Sequence, residues 1–502
     1  MSNIRRQSII SSLVIYTGFA VGLINTYFFT RQGIFTEAEY GLTTIFIAIA
    51  TMMAAFAALA MPSFIFKFHP YYNDHLPPSK NDMITWALLV STVGYIFVMI
   101  AGLALKHLVI KKFGTNAPQF VSYYYWIFPL GLGLTIYSVL EAFAWSLHKS
   151  VLTNFFREVQ WRLFTTGLIV LFATQLIPDF SLFIKLFSFT YPGIAISLLA
   201  YLVYTKKIHF TFKVSKVSRR FLKKIMALCS FVYGATLILT LSKVFDTFVI
   251  ASVLDNGLDK AGIFGLATIM TSIIQAPQRG IISASIPHLS KAWKDKNMAL
   301  LKKVYQRSSI NQLIFACAIF LLIWMNFQDG IHTFGIKPVY LEAAGVFFIL
   351  GLTNIIDMGT GVNAQIITTS THWKFELLSG MLLLAFMLPL TYILTKQYGI
   401  IGPAIATMIS ITIYNGIRIL FLWKKFRLFP LTMQSLYTLL LAAACYGICY
   451  FAFMNLHGIV GMTLRSLVFL LLYVSGTLYL KLSPDIQPVI RTLQKKIGIK
   501  KD

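Results

Sequence analysis

The chain has 502 residues, 57% of them apolar and 12% charged, with a formal net charge of +26 at pH 7. Runs of 18 or more weakly polar residues recur along its whole length, so hydrocarbon is the solvent for most of it, which rules against a soluble globular enzyme. The excess of basic residues falls in alternate loops, a topology signal rather than a nucleic-acid footprint.

In chain order, "MSNIRRQSIISSLVIYTGFAVGLINTYFFT" has an apolar region too long for a signal peptide, and no small-residue cleavage site follows it. It reads as a first span over 8–30, with Arg5 and Arg6 as its inner flank. Further spans follow over 41–65, 83–106, 121–147, 158–177 and 180–204. The fourth carries Glu141 after Tyr137, with Trp145 a turn beyond. An ionisable group inside a span costs about 2.5 to 3.5 kcal/mol on insertion scales and so faces protein or water. For Glu141 that means either a hydrogen bond between helices or a role in ion coupling. The polar linker "TKKIHFTFKVSKVSRRFLKK", 205–224, holds eight Lys and Arg and no acid, and separates two sets of six spans.

The seventh span, 225–254, places Tyr233, Thr236, Thr240, Lys243 and Thr247 on one stripe at intervals of three and four, flanked by Asp246. This predicts a wet face near the outer leaflet, the alternative being Lys243 snorkelling to the interface beside Asp246. The eighth, 261–290, contains "IIQAPQRGIISASIP", where Gln275, Gln278 and Arg279 share a face and Pro277 disturbs the backbone ladder. A cation beside a kinked backbone suits an anion. Its opening, "KAGIFGLATIMTSI", weakly repeats "EYGLTTIFIAIATM" of span two, so that Gly41 and Gly262 correspond. Spans over 308–327, 341–369, 376–394, 399–423, 435–455 and 462–480 complete a set of fourteen. The tenth contains "GLTNIIDMGTG", with Asn354, Asp357 and Gly361 on one face and the carboxylate near mid-membrane, open to the same two readings as Glu141. Lys185, Arg418 and Arg465 lie near span ends and read as snorkelling cations.

With the N-terminus inside, the basic segments 206–224, 291–307 and 481–501 all fall on the cytoplasmic side, and both termini with them. The four cysteines lie in apolar runs without metal or disulfide spacing, and phosphate-loop, HExxH and GxSxG signatures are absent. The sequence therefore predicts a transporter rather than an enzyme, with no cofactor and no metal.

Three stretches carry a resemblance. "FDTFVIASVLDNGLDKAGIFGLATIMTSIIQAPQRGIISASIPHLSKAWKD", 245–295, resembles spans seven and eight of polysaccharide flippases through Asp246, Gly262, Phe264, Pro287, Leu289 and Ser290. "FTEAEYGL", 35–42, is similar to that family's acidic-aromatic-Gly turn, and "KQYGIIGPAIATMIS", 396–410, to its entry into span twelve. The family is the polysaccharide biosynthesis branch of the multidrug/oligosaccharidyl-lipid/polysaccharide exporters. The resemblance implies an all-α polytopic membrane protein with two six-helix lobes around a central cavity and two further C-terminal helices. The expected divisions are an N-terminal lobe 1–204, a basic cytoplasmic linker 205–224, a C-terminal lobe 225–425, and spans thirteen and fourteen with a basic tail over 426–502. It implies translocation of an undecaprenyl-pyrophosphate-linked oligosaccharide across the bacterial inner membrane by alternating access, for O-antigen, capsule or exopolysaccharide. Lys243 and Arg279 would meet the pyrophosphate, with Gln275, Gln278, Thr240 and Tyr233 serving the sugars; Asp357, Glu141 and Asp246 would take a coupling ion, proton or sodium. Membrane lipids, a polysaccharide polymerase and glycosyltransferases are the other expected partners, and nucleic acid is not one. A cation-coupled drug antiporter of the same superfamily and a lipid II flippase are the alternatives.

Overall fold

In hydrocarbon each backbone amide must find its partner within its own segment, and helices satisfy this. The computed structural model describes residues 3–484, and among them the chain forms helices and no β-strand. Among the described residues, thirteen helices are long and apolar enough to cross a membrane, and this is a multi-pass membrane protein. The expected span without a counterpart among the thirteen is the fifth. That region is helical as well, but composite: an α turn Ser150–Asn154, a π-helix Phe155–Gln160, and an α-helix Trp161–Ala173. Arg157, Glu158 and Arg162 within it reduce its apolar length.

Local chemistry explains the element ends. The helix Glu37–Ala57 begins with a capping box: Thr36 Oγ1 accepts from the Glu39 amide, and the Thr36 amide donates to Glu39 Oε2 at 2.7 Å. The motif read as an acidic-aromatic-Gly turn is therefore a helix start. Expected span two, 41–65, is broken: the chain leaves the helix at Leu59 and Ala60, both with positive φ, and resumes as Met61–His75 with Pro62 in its first turn. The helix Lys216–Val253 is 38 residues long and starts inside the expected linker, capped by Ser215 Oγ accepting from the Ser218 amide.

By packing, the chain divides into two compact units at Gly265. In the first unit, Phe64, Phe68, Tyr72, Tyr137, Leu140, Phe143, Leu198 and Leu202 form a buried core shared by several helices. There Gly41 of the 37–57 helix faces the start of the helix Gly257–Lys294. A Cβ on Gly41 would sit 1.8 Å from the Leu258 carbonyl oxygen, and one on Gly262 would sit 2.6 Å from that of Glu37. The two glycines paired by the weak repeat thus meet at a backbone crossing. In the second unit, the helices Met298–Trp324, Met433–Phe453 and Gly458–Tyr479 share a core around Cys317, Cys445, Cys449, Phe469 and Tyr473.

Candidate functional site

The second unit holds a continuous polar network on four helices. On the helix 257–294, Gln275 Nε2 donates to Asn354 Oδ1 at 2.7 Å, and Gln278 Nε2 donates to Asp357 Oδ2 at 3.1 Å. Asn354 and Asp357 lie one turn apart on the helix Ala343–Gly359, and Asn354 Nδ2 also donates to the Thr271 carbonyl at 3.0 Å. On the helix Ile401–Phe426, Asn415 Nδ2 donates to Asp357 Oδ1 at 2.9 Å, while Asn415 Oδ1 accepts from Asn363 Nδ2 at 2.9 Å. Both oxygens of Asp357 are therefore held by amides. Among the described side chains its hydrogen-bond donors are amides, which fix the orientation of this carboxylate.

The backbone breaks beside this group. Expected span ten, 341–369, is the helix 343–359, a turn at Gly361 with φ of +68°, and a short helix Asn363–Thr368. Only glycine suits that position, because φ is left-handed and a Cβ would lie 2.9 Å from the Ser309 amide nitrogen. A break at membrane depth survives where its polar groups are buried in protein or face water, and a half-buried carboxylate sits within a turn of it.

The network ends in a buried ion pair. Arg418 is 7% exposed and grips the Glu376 carboxylate with Nε at 3.0 Å and with Nη2; its guanidinium lies over the Tyr414 ring at 3.6 Å from the centroid. The Tyr414 hydroxyl donates to Glu376 Oε1 at 3.0 Å. The snorkelling expected of Arg418 is corrected here: its partner, on the helix Trp373–Tyr398, holds it inside. Arg465 is likewise no snorkelling cation, for it is 8% exposed and binds the carbonyls of Met325 and Leu456 and the carboxylate of Asp329. Burial raises the Asp329 carboxyl, but hydrogen bonds and charge from Arg465 and His457 outweigh this and hold it below the usual range. Lys185 keeps its ammonium over the Trp126 ring, 5.8 Å from the centroid.

The first unit has its own site. Glu141 is 9% exposed, and its Oε2 accepts from Arg157 Nη1 at 3.2 Å. The Arg157 side chain is 52% exposed, so one face of this cation stays open. Tyr137 donates to the Thr153 carbonyl at 2.7 Å, and Trp145 Nε1 to Thr153 Oγ1 at 2.7 Å. Arg157 stands on the π-helix, where an extra residue per turn re-aims side chains, a feature frequent at functional sites. A second pair, Arg162 to Glu158 at 2.6 Å, fits beneath the helix Asn3–Thr30 because Gly18 and Gly22 leave room; a Cβ on Gly18 would meet the Glu158 carbonyl oxygen at 2.5 Å. Arg157, Glu158 and Arg162 were not among the expected site residues, although "FFREVQWR" shows three charges within eight residues beside an apolar run.

The remaining expected residues separate as follows. Tyr233 donates to the Phe56 carbonyl at 3.1 Å, fixing the helix 216–253 to the end of the 37–57 helix. Thr240 and Asp246 are half-buried and Lys243 is exposed on the same helix, in the first unit. Arg279 lies on the helical backbone of the second unit, and its side chain is outside the described residues.

The sequence matches no family model and no curated protein. Among solved structures, the chain is similar to the lipid II flippase MurJ in an inward closed conformation, with a TM-score of 0.73 and 16% identity over 94% of this chain and 99% of that one. It is also similar to a multidrug resistance MATE family transporter of the MOP superfamily in an inward-facing conformation, with a TM-score of 0.65 and 12% identity over 83% and 98%. A MOP superfamily transporter from Pyrococcus furiosus gives 0.58 and 13% over 84% and 95%. The chain has the fold these structures share.

Proposed function

We propose that the protein moves a lipid-linked oligosaccharide, carried on undecaprenyl pyrophosphate, from the inner to the outer leaflet of a bacterial cytoplasmic membrane by alternating access, as a step in cell-surface polysaccharide biosynthesis. The observation that carries this reading is the polar network of the second unit: a carboxylate oriented by amides beside a broken helix is more than a membrane scaffold needs, and polar groups inside spans mark ion and substrate paths. The fold, shared over nearly the full length with a lipid II flippase, supports a transporter rather than an enzyme.

The chemistry of each surface fits the parts of that substrate. A pyrophosphate needs fixed cations; we assign Arg157 and Lys243 of the first unit to that role, and Arg279 as a candidate in the second unit. Gln275, Gln278, Thr240 and Tyr233, with Trp145, offer amides, hydroxyls and an aromatic face to sugars. An apolar groove of about 510 Å³ in the second unit, lined by Met270, Ile323, Phe327, Phe334, Leu467 and Leu470, suits an isoprenoid chain. Asp357 takes the coupling proton or sodium ion. In the transport cycle we take 1–204 and 225–425 as the lobes, 205–224 as their linker and 426–502 as the appended pair of spans with its tail; a polymerase and glycosyltransferases would act before and after the step.

Deletion tests this directly. Extracted lipids should accumulate an undecaprenyl-linked oligosaccharide while a surface glycan is lost. Accumulated lipid II would select the flippase of peptidoglycan precursors, and normal glycan with altered drug tolerance would select the antiporter.

A further inference from the structure

The first unit carries a second charged feature, outside the residues assigned above to the transported molecule. Residues 205–215 run without helix after the helix Thr190–Tyr204, yet they are tethered: the Thr211 amide donates to Thr85 Oγ1 at 3.1 Å and the Ser215 amide to Asp82 Oδ2 at 2.9 Å. Asp82 is fully buried and also accepts from Ser218 Oγ at 2.8 Å, whose oxygen lies 2.7 Å from the Tyr72 hydroxyl. These bonds fix the segment against the start of the helix Met83–Ala104 and open a cleft of about 1040 Å³ beside it. Lys80, Lys213, Lys216 and Arg220 line the cleft with His75, and no carboxylate is among its lining residues. The positive end of the 38-residue helix 216–253 points into the same place, adding to the field.

Exposed apolar residues beside the lining residues in sequence bear on which anion this is. Phe210 is 54% exposed, Phe212 70%, Leu222 57% and Met226 61%. Aromatic and aliphatic side chains alternating with cations are what a chain presents at a bilayer interface, where apolar bodies enter lipid and charges meet head groups. A water-borne anion would use the cations but not these apolar side chains. We propose that this cleft binds the phosphate head group of an anionic membrane lipid in the leaflet facing the basic linker, with the acyl chains along Phe212 and Leu222. The proposal does not depend on the identity of the transported molecule.

Full-length protein in detergent, titrated with phosphatidylglycerol or phosphatidylcholine and followed by native mass spectrometry, tests it. The unaltered protein should bind phosphatidylglycerol at least about tenfold more tightly, since each cation near a charged surface is worth roughly a fivefold gain. The Lys213→Gln, Lys216→Gln, Arg220→Gln variant should lose that preference. It should still fold, because all three side chains are exposed and Lys216 sits at the positive helix end, where losing its charge relieves repulsion. A charge-matched control on the other unit, Lys302→Gln, Lys303→Gln, Arg307→Gln, should retain the preference. Equal preference in the cleft variant, or its loss in the control as well, overturns the assignment. Inorganic pyrophosphate binding as tightly as phosphatidylglycerol, with no gain from the acyl chains, also overturns it, in favour of a soluble anion.

Discussion

Asp357 is the residue on which the coupling reading rests, because Gln278 and Asn415 each give it one amide hydrogen bond and neither gives it charge. Asp357→Asn keeps shape and volume but turns one acceptor oxygen into a donor nitrogen facing an amide donor. Transport, read as surface glycan in a complemented deletion strain, should fall by roughly ten- to a hundredfold, the worth of one charged hydrogen bond. Protein level and membrane insertion should be unchanged. Full export with the same pH dependence would make Asp357 a contact between helices. Much of this neighbourhood is legible in the sequence: Gln275 with Gln278 and Asn354 with Asp357 each repeat at three residues within an apolar run, which puts each pair on one face. The pairing of Arg418 with Glu376 is not legible, since 42 residues and a helical hairpin lie between them. A position near a span end is equally compatible with snorkelling, and only the fold decides which neighbour the guanidinium meets.

Among elements, the crossing of the 37–57 and 257–294 helices is governed by glycine. Gly41 cannot gain a side chain without displacing the Leu258 carbonyl, which lies in helical backbone and cannot swing aside. Gly41→Ala should therefore destabilise the protein by about 1–3 kcal/mol, as overpacking does, seen as a lower melting temperature in detergent. Gly234→Ala, whose Cβ meets nothing within 4 Å, should cause no such loss. An equal loss in both would trace the effect to glycine in general. The weak repeat placed Gly41 and Gly262 in corresponding positions, but no periodicity states that corresponding glycines touch. Hydropathy does not show where the broken elements end. An apolar run of normal length over 341–369 hides the turn at Gly361, and hydropathy alone continues span two past Leu59 and Ala60. At both places a backbone conformation, not composition, ends the helix.

At the scale of the whole molecule the question is parity, since thirteen apolar helices and fourteen crossings place the tail on opposite sides. The answer turns on whether the composite helical stretch 150–173 crosses. Its 24 residues reach about 36 Å at the usual helical rise of about 1.5 Å per residue, enough for a hydrocarbon core of about 30 Å. Its charges need not prevent crossing, because Arg157 pairs with Glu141, Arg162 pairs with Glu158, and Gly18 and Gly22 bring another helix over the second pair. Charge placement argues the same way. If 150–173 did not cross, the segment 206–224, with eight cations and no acid, would stand opposite the inner N-terminus, against the positive-inside rule. Reporter fusions after His148 and after residue 215 should therefore read cytoplasmic, as should one at the C-terminus. Fusions after Leu176 and after Asn256 should read external. A cytoplasmic signal at Leu176 with an external one at residue 215 would make 150–173 a re-entrant element, and the Arg157 site would then be reached from one side of the membrane alone.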